Sequence, residues 1–417
     1  MVRMPINAAG ELYAALRNKE PDLVVEAKAE LELHRPIVLD YPVRVTGGRF
    51  KVQDGPAFVI AASGVTLDSC TIIGGRDEND SYSSAQKLIH ATGTQERPLA
   101  GITVRGCRLW RSRADNVWLE WCVDSLVTNN VITEYLYSGV MGVSANRVVV
   151  SGNVIRDAPL SDGVVNTYGI AFTDLDNTEQ ARSRDCSAVG NQVSLIDWEG
   201  IDTHGGDGIS VVANTVVGCP RGIALVTGNE TRHAAPTRCV VSANTVNGAG
   251  SRRPVREAIF LGGIPNVPAN ATITGNHMTG HQSAFGGLSY IDRPKTFIGD
   301  NNFPLLDWSA ITMDGDYTAD PANPPQYRID GNTIWLRGNV IPKADGRRTV
   351  IGHLRNGHAW PGALMWLGES HGLDPAAGRG VVGVLGADSD NPGRVQMFAV
   401  EGTDTSPYPL SGSYQAL

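Results

Sequence analysis

The 417-residue chain has little of what most compact enzymes are built from. Aromatic residues make up only 6% and charged residues 19%. No run approaches the ~20 apolar residues of a membrane-spanning helix, so no membrane insertion is expected. There is no excess of basic residues: 35 Lys and Arg against 43 Asp and Glu give a net charge of −8. That balance argues against a nucleic-acid partner and against docking on an anionic membrane. The opening MVRMPINAAGELYAAL is too polar for a secretory signal. The six cysteines, Cys70, Cys107, Cys122, Cys186, Cys219 and Cys239, show no CxxC spacing. They are expected to be buried free thiols, neither a disulfide framework nor a zinc site. Isolated histidines such as His34, His90, His277 and His281 lack paired ligand spacing, so no metal and no cofactor is expected.

Glycine is present in excess, 48 of 417 residues, or about 11.5% against a usual ~7%. With 23 prolines and few helix-period segments, this points to many turns between many short strands. Hydrophobic residues at 41% are ample for a core.

The middle of the chain repeats. LDSCTII (67–73), VRGCRLW (104–110), VTNNVIT (127–133), VSGNVIR (150–156), AVGNQVS (188–194), VVANTVV (211–217), VSANTVN (241–247) and ITGNHMT (273–279) align under one another. IGDNNFP (298–304) is a weaker ninth copy. The shared position holds Cys70, Cys107, Asn130, Asn153, Asn191, Asn214, Asn244, Asn276 and Asn301, and its shortest spacing, 23 residues, recurs three times. A second motif, a small residue followed by alternating apolars, lies between the copies: SGVMGVS (138–144), YGIAFTD (168–174), EGIDTHG (199–205), RGIALVT (221–227), EAIFLGG (257–263) and GGLSYID (286–292). Two or three period-2 strands per ~23 residues, with irregular insertions, describe a solenoid of parallel strands. An amide at the bend both donates and accepts, so stacked Asn side chains bond along the axis, and Asn tolerates a left-handed backbone. Cys substitutes there as a small buried residue.

On these residues the segment from about 40 to 305 resembles a right-handed parallel β-helix of the pectate-lyase-like class with its asparagine ladder. ELYAALRN (11–18) reads as an amphipathic helix that in this class caps the first coil. Beyond Asn301 the repeat stops, and DYTADPANPPQ (316–326) reads as a linker. The remainder alternates as antiparallel strands, with a hairpin signal at the DGN turn between YRI and TIWLRG. This part resembles the C-terminal module of bacteriophage tail-fibre and minor tail proteins. Tyr327, Arg328, Asp330, Gly331, Leu336, Arg337 and Gly338 carry the opening of that likeness, and Leu410, Ser411, Gly412 and Tyr414 carry its close. HLRNGHAWPG (353–362) departs from the usual loop.

The expected fold is therefore all-β. A right-handed parallel β-helix with a short N-terminal capping helix is followed by a smaller antiparallel β-sandwich-like domain. The boundaries read as cap and first strands 1–39, β-helix 40–305, linker 306–326 and C-terminal domain 327–417. The resemblance implies a phage tailspike or minor tail protein at the tail tip, a homotrimer contacting other tail proteins and a bacterial surface polysaccharide. A free, secreted polysaccharide lyase or glycoside hydrolase, and a purely structural tail component, are the alternatives.

The densest polar chemistry is IDWEGIDTHGGDG (196–208). With Gly200 opening a strand, Ile201 and Thr203 face in while Asp202 and His204 face out. Asp197, Glu199 and Asp207 flank them, and Trp198 offers a ring for stacking on sugar. Aligning the second motif puts Trp118, Met141, Ala171, Asp202, Ala224 and Phe260 in one column, and Glu120, Val143, Thr173, His204, Val226 and Gly262 in the next. A third column reads Ser138, Tyr168, Glu199, Arg221, Glu257. At ~4.8 Å per rung, Glu199 and Glu257 are expected about 9–10 Å apart with Arg221 between them. That separation resembles the acid and base of an inverting glycosidase, while a lyase would need a basic residue to take the proton α to a uronate carboxylate and Arg221 or a bound cation to neutralise that carboxylate. Glu199, Asp202 and Glu257 are the candidate catalytic residues. Asp197, Trp198, His204, Asp207, Arg221, Trp118 and Glu120 are the candidate substrate contacts. A cross-strand salt-bridge ladder is the competing explanation of the Glu–Arg–Glu row. The loops at 157–167, 174–186, 228–238 and 248–256 are expected to wall a groove.

Overall fold

The computed structural model describes residues 5–77, 80–159, 166–174, 181–228, 234–265, 267–288, 290–302, 305–313, 317–330, 333–342, 350–353, 364–366, 381–385, 394–398, 408–409 and 412–415. The helix Ala9–Arg17 inserts Leu12, Ala15 and Leu16 into the apolar core that fills the solenoid behind it. It is followed by coils whose strands pair in parallel with the strands one coil later, in three stacks.

The first stack runs from Thr66–Asp68 through Leu126–Thr128 and Ser210–Val212 to Phe297–Gly299. The second runs from Thr71–Ile73 through Val131–Tyr135 and Thr215–Val217 to His277–Thr279. The third is a ten-stranded sheet from Ile37–Leu39 to Ser283–Gly286. Together they form a right-handed parallel β-helix.

The bend between the first two stacks explains the repeat. Asn130 Nδ2 donates to Asn153 Oδ1 at 2.9 Å, and the same bond continues through Asn191, Asn214, Asn244, Asn276 and Asn301 at 2.7–3.0 Å. Each oxygen also accepts the main-chain N–H of the preceding rung's Asn, as Asn191 Oδ1 does from Asn153 at 3.0 Å. The weak ninth copy is a full member of the ladder. The left-handed residue, however, is the one before each Asn, not the Asn itself: Asn129, Ala213, Ala243 and Asp300 have φ of +52° to +56°, and glycine fills the place at 152, 190 and 275. The Asn is spared because its side chain must lie flat along the axis, and the sharp turn is made one residue earlier. Cys70 and Cys107 keep only the donor half of the pattern, their thiols donating to Val45 O and Leu67 O. All six cysteines are free and buried.

Glycine in the second motif answers a different demand. A Cβ on Gly200 would lie 2.7 Å from the carbonyl oxygen of Gly222 and 2.4 Å from Val216, so only glycine lets neighbouring rungs approach there.

After Asn301 the pairing becomes antiparallel. Leu305–Ala310 pairs with Gln326–Asp330, which pairs with Thr333–Arg337 as the hairpin signal indicated, and that strand pairs with Gly412–Gln415. Two further antiparallel sheets include Val381–Leu385 with Arg394–Phe398, and Tyr317–Ala319 with Asn339–Pro342. The stretch read as a linker thus contributes strands to these sheets. Leu410, Ser411, Gly331 and most of 353–362 lie outside the described residues. No helix among the described residues is long and apolar enough to cross a membrane.

Candidate functional site

The site is built on the outer face of the third stack. The column through Trp118 and Asp202 read from the sequence is the column observed. Trp118 pairs with Met141, Met141 with Ala171, Ala171 with Asp202, Asp202 with Ala224 and Ala224 with Phe260. Tyr168 lies beside Glu199, and Glu199 beside Arg221. In the strand Glu199–His204, Ile201 joins the core and Thr203 is sealed by donating to Phe172 O at 2.8 Å. Asp202 and His204 face outward, yet Asp202 is only 2% exposed.

Three groups converge here. One ligand atom each from Glu199, Asp202 and His204 lies within 4.8 Å of the others. His204 Nε2 contacts Asp202 Oδ2 at 3.0 Å, while Asp202 Oδ1 is buried and accepts no hydrogen bond from any described residue. Burial pushes the Glu199 carboxyl up to about 7, and the Asp202 carboxylate beside it adds to the rise against the opposing Arg221 and His204. Burial alone would lower the His204 imidazole, but the Asp202 carboxylate outweighs it and holds the ring up to about 9. At neutral pH the Glu199 carboxyl therefore keeps a proton more readily than an exposed glutamate, and the His204 ring is held in its cationic form beside Asp202.

Glu199 and Glu257 are not an open pair with a water between them. Both end on the guanidinium of Arg221: Nη1 binds Glu199 Oε1, and Nε donates to Glu257 Oε2 at 3.0 Å. Arg221 is packed between Phe260, 4.3 Å from the ring centre, and Trp198, 5.8 Å away. One buried cation thus ties the two glutamates, because parallel strands in register put Arg221 midway between them.

The other candidates are more distant or engaged. Asp197 is held by Arg252 Nε at 2.6 Å and approached by Arg253 at 3.5 Å. Asp207 sits past the Gly205–Gly206 turn and accepts from Arg238 Nε and the Thr237 hydroxyl, both at 2.8 Å. Trp118 Nε1 donates to Glu120 Oε2 at 3.0 Å, three rungs from Asp202 and so about 14 Å away. Between these rungs run Tyr137, Tyr168 and His204, with ring centres 5.6 and 5.9 Å apart.

Sequence reading missed Asp115. It lies beside Ser138, whose hydroxyl donates to its Oδ1, and so extends the Ser138–Tyr168–Glu199 column by one rung. Complete burial pushes its carboxyl up to about 7, opposed chiefly by the Ser138 bond. The signal was the register itself, continued two residues upstream of VWLE. It was masked because Asn116 stands where later rungs carry glycine.

The family model for the right handed beta helix region matches residues 49–250. No curated protein sequence matches the chain. Among solved structures, the chain is similar to the Dettilon tailspike protein (gp208) at 14% identity and a TM-score of 0.44, covering 97% of this chain and 89% of the tailspike. It is similar to the catalytic unit of the thermostable GH87 α-1,3-glucanase from Streptomyces thermodiastaticus strain HF3-3 at 16% identity and a TM-score of 0.44, covering 62% of this chain and 58% of that one. Pectate lyase Pel9A is 11% identical with a TM-score of 0.45, covering 62% and 66%.

Proposed function

We propose that this β-helix binds a bacterial surface polysaccharide on the outer face of its third strand stack and hydrolyses it there. The observation that carries the reading is the buried Glu199–Asp202 pair, one carboxyl raised to about 7 beside another whose buried Oδ1 accepts no hydrogen bond from a described residue. A proton-holding carboxyl beside a second carboxyl supplies the acid and the counter-carboxylate. Glu199 donates its proton to the departing glycosidic oxygen. Asp202 Oδ1, buried in the free protein, must be uncovered on binding to meet the anomeric carbon, while His204 fixes Oδ2. Carboxylate oxygens of Glu199 and Asp202 lie within 4.8 Å of each other, short of the ~6.5–9.5 Å that leaves room for a water in inverting enzymes. Asp202 then forms the glycosyl intermediate, and the ionised Glu199 draws a proton from the water that releases it. Arg221 orients Glu199, and Glu257 acts through Arg221 as a positioning residue. Trp198 backs the Arg221 guanidinium.

The test is incubation with purified envelope glycans. A rise in reducing ends without new ultraviolet absorbance, retained anomeric configuration, and loss of cleavage with retained binding in Glu199→Gln support the reading. New absorbance from an unsaturated uronate would turn it toward a lyase, and full cleavage by Glu199→Gln would refute the assignment.

We further place the chain at a phage tail tip as a homotrimer, with a β-helix over 40–305 and a tail-fibre-like module over 327–417. The resemblance in the C-terminal strands supports this. A stable species of 44.4 kDa in solution, the mass of one chain, would overturn the trimer.

A further inference from the structure

Arg256 sits at the margin of this site in an arrangement that none of the roles above uses. Its main chain is clamped between neighbouring coils, its N–H donating to Pro220 O at 2.7 Å and its carbonyl accepting from Gln282 at 2.8 Å. Its guanidinium lies over the Trp198 ring, 5.4 Å from the centre, and so is positioned by that contact. It donates no side-chain hydrogen bond to any described residue. Its one ion-pair contact, to Glu257 Oε2, is 3.8 Å long, and that oxygen already accepts from Arg221. The side chain remains 45% exposed.

The other cations around it are already paired. Arg221 binds Glu199 and Glu257, Arg252 reaches Asp197 and, at 4.0 Å, Asp157, Arg253 approaches Asp197, and His204 contacts Asp202. Arg256 has only its long contact to Glu257. A stacked, oriented guanidinium with open donors is suited to a planar carboxylate in two-point contact.

We infer that the glycan taken by this site carries a carboxylate on the sugar next to the scissile unit, and that Arg256 on Trp198 recognises it. The inference rests on the proposed glycan-binding site and names its substrate class: acidic chains of uronic or sialic type.

The test uses four probes, polygalacturonate, alginate, hyaluronan and α-2,8-linked polysialate, each paired with its carboxyl-reduced form. Binding and reducing ends are measured for the intact chain, Arg256→Met and Arg256→Lys, with melting curves to establish that the variants fold. At least one acidic probe should bind about tenfold to a hundredfold more tightly than its reduced form, the usual range for a charge-assisted pair. Arg256→Met should lose that preference, and Arg256→Lys should retain part of it. Equal binding of native and reduced forms, a preference that survives in Arg256→Met, or no binding of any of the four overturns the inference. Carboxylate-dependent binding without cleavage would refute hydrolysis and leave the inference standing. Glu199-dependent cleavage of neutral chains with no acidic preference would do the reverse.

Discussion

Replacing Glu199 with glutamine separates the chemistry of the site from its stability. The residue is 2% exposed and its carboxyl is raised from an ordinary 4.5 to about 7, so between these values the folded chain holds a proton that the unfolded chain has released. Stability from this group is complete below the unfolded value and is lost as pH rises through the folded one. The gap corresponds to about 3 kcal/mol of destabilisation above pH 7 relative to pH 4. A glutamine side chain carries no such penalty and can still accept from Arg221, which keeps Glu257 as its charged partner. Glu199→Gln should therefore be close to the parent in stability at pH 4.5 and about 2–3 kcal/mol more stable at pH 8. Urea unfolding at pH 4.5, 6 and 8 reads this directly. A stability difference that stays flat across that range, or one that grows in favour of the parent, would refute the buried, raised carboxyl and the acid role built on it.

Two further outcomes follow from the coil architecture. Asn191→Ala removes the bonds to Asn214 Oδ1 and Val150 O and takes the acceptor from the buried amide and main-chain N–H of Asn153, so a loss of about 3–5 kcal/mol in denaturant unfolding is expected. Ala213→Gly should raise stability by about 0.5–1 kcal/mol, because Ala213 holds φ at +56° where an L side chain is disfavoured; an unchanged or lower unfolding midpoint would count against that strain.

Much of the fold was legible because a solenoid writes its geometry into spacing. Aligning the second motif placed Trp118, Met141, Ala171, Asp202, Ala224 and Phe260 in one column, and the strand pairing matches it residue for residue. Period-2 alternation likewise assigned Ile201 and Thr203 inward and Asp202 and His204 outward. Partners across the insertions were not legible. Arg252 reaches Asp197 from 55 residues away and Arg238 reaches Asp207 from 31, through loops with no repeat to set their register. Register alone put Glu199 and Glu257 two rungs apart, but side-chain length decides contact, and an arginine is long enough to hold both. Asp202's burial was hidden for the same reason: an outward residue is exposed only where nothing covers the face, and here Tyr168 and His204 pack edge to face.

Six bonds join the seven ladder amides from Asn130 to Asn301, and every one runs the same way, from a nitrogen to the oxygen of the following coil's Asn. Their dipoles add along the solenoid axis, giving the stack a polarity that depends on neither the net charge nor the sheet dipoles. An incoming coil can dock only with its oxygen facing the donor already in place, so growth has one direction and one phase. Whole coils carrying Asn can be added or removed without leaving an unmatched amide, whereas a change of half a coil cannot. The solenoid therefore changes length by whole coils, whatever the size of the loops each coil carries.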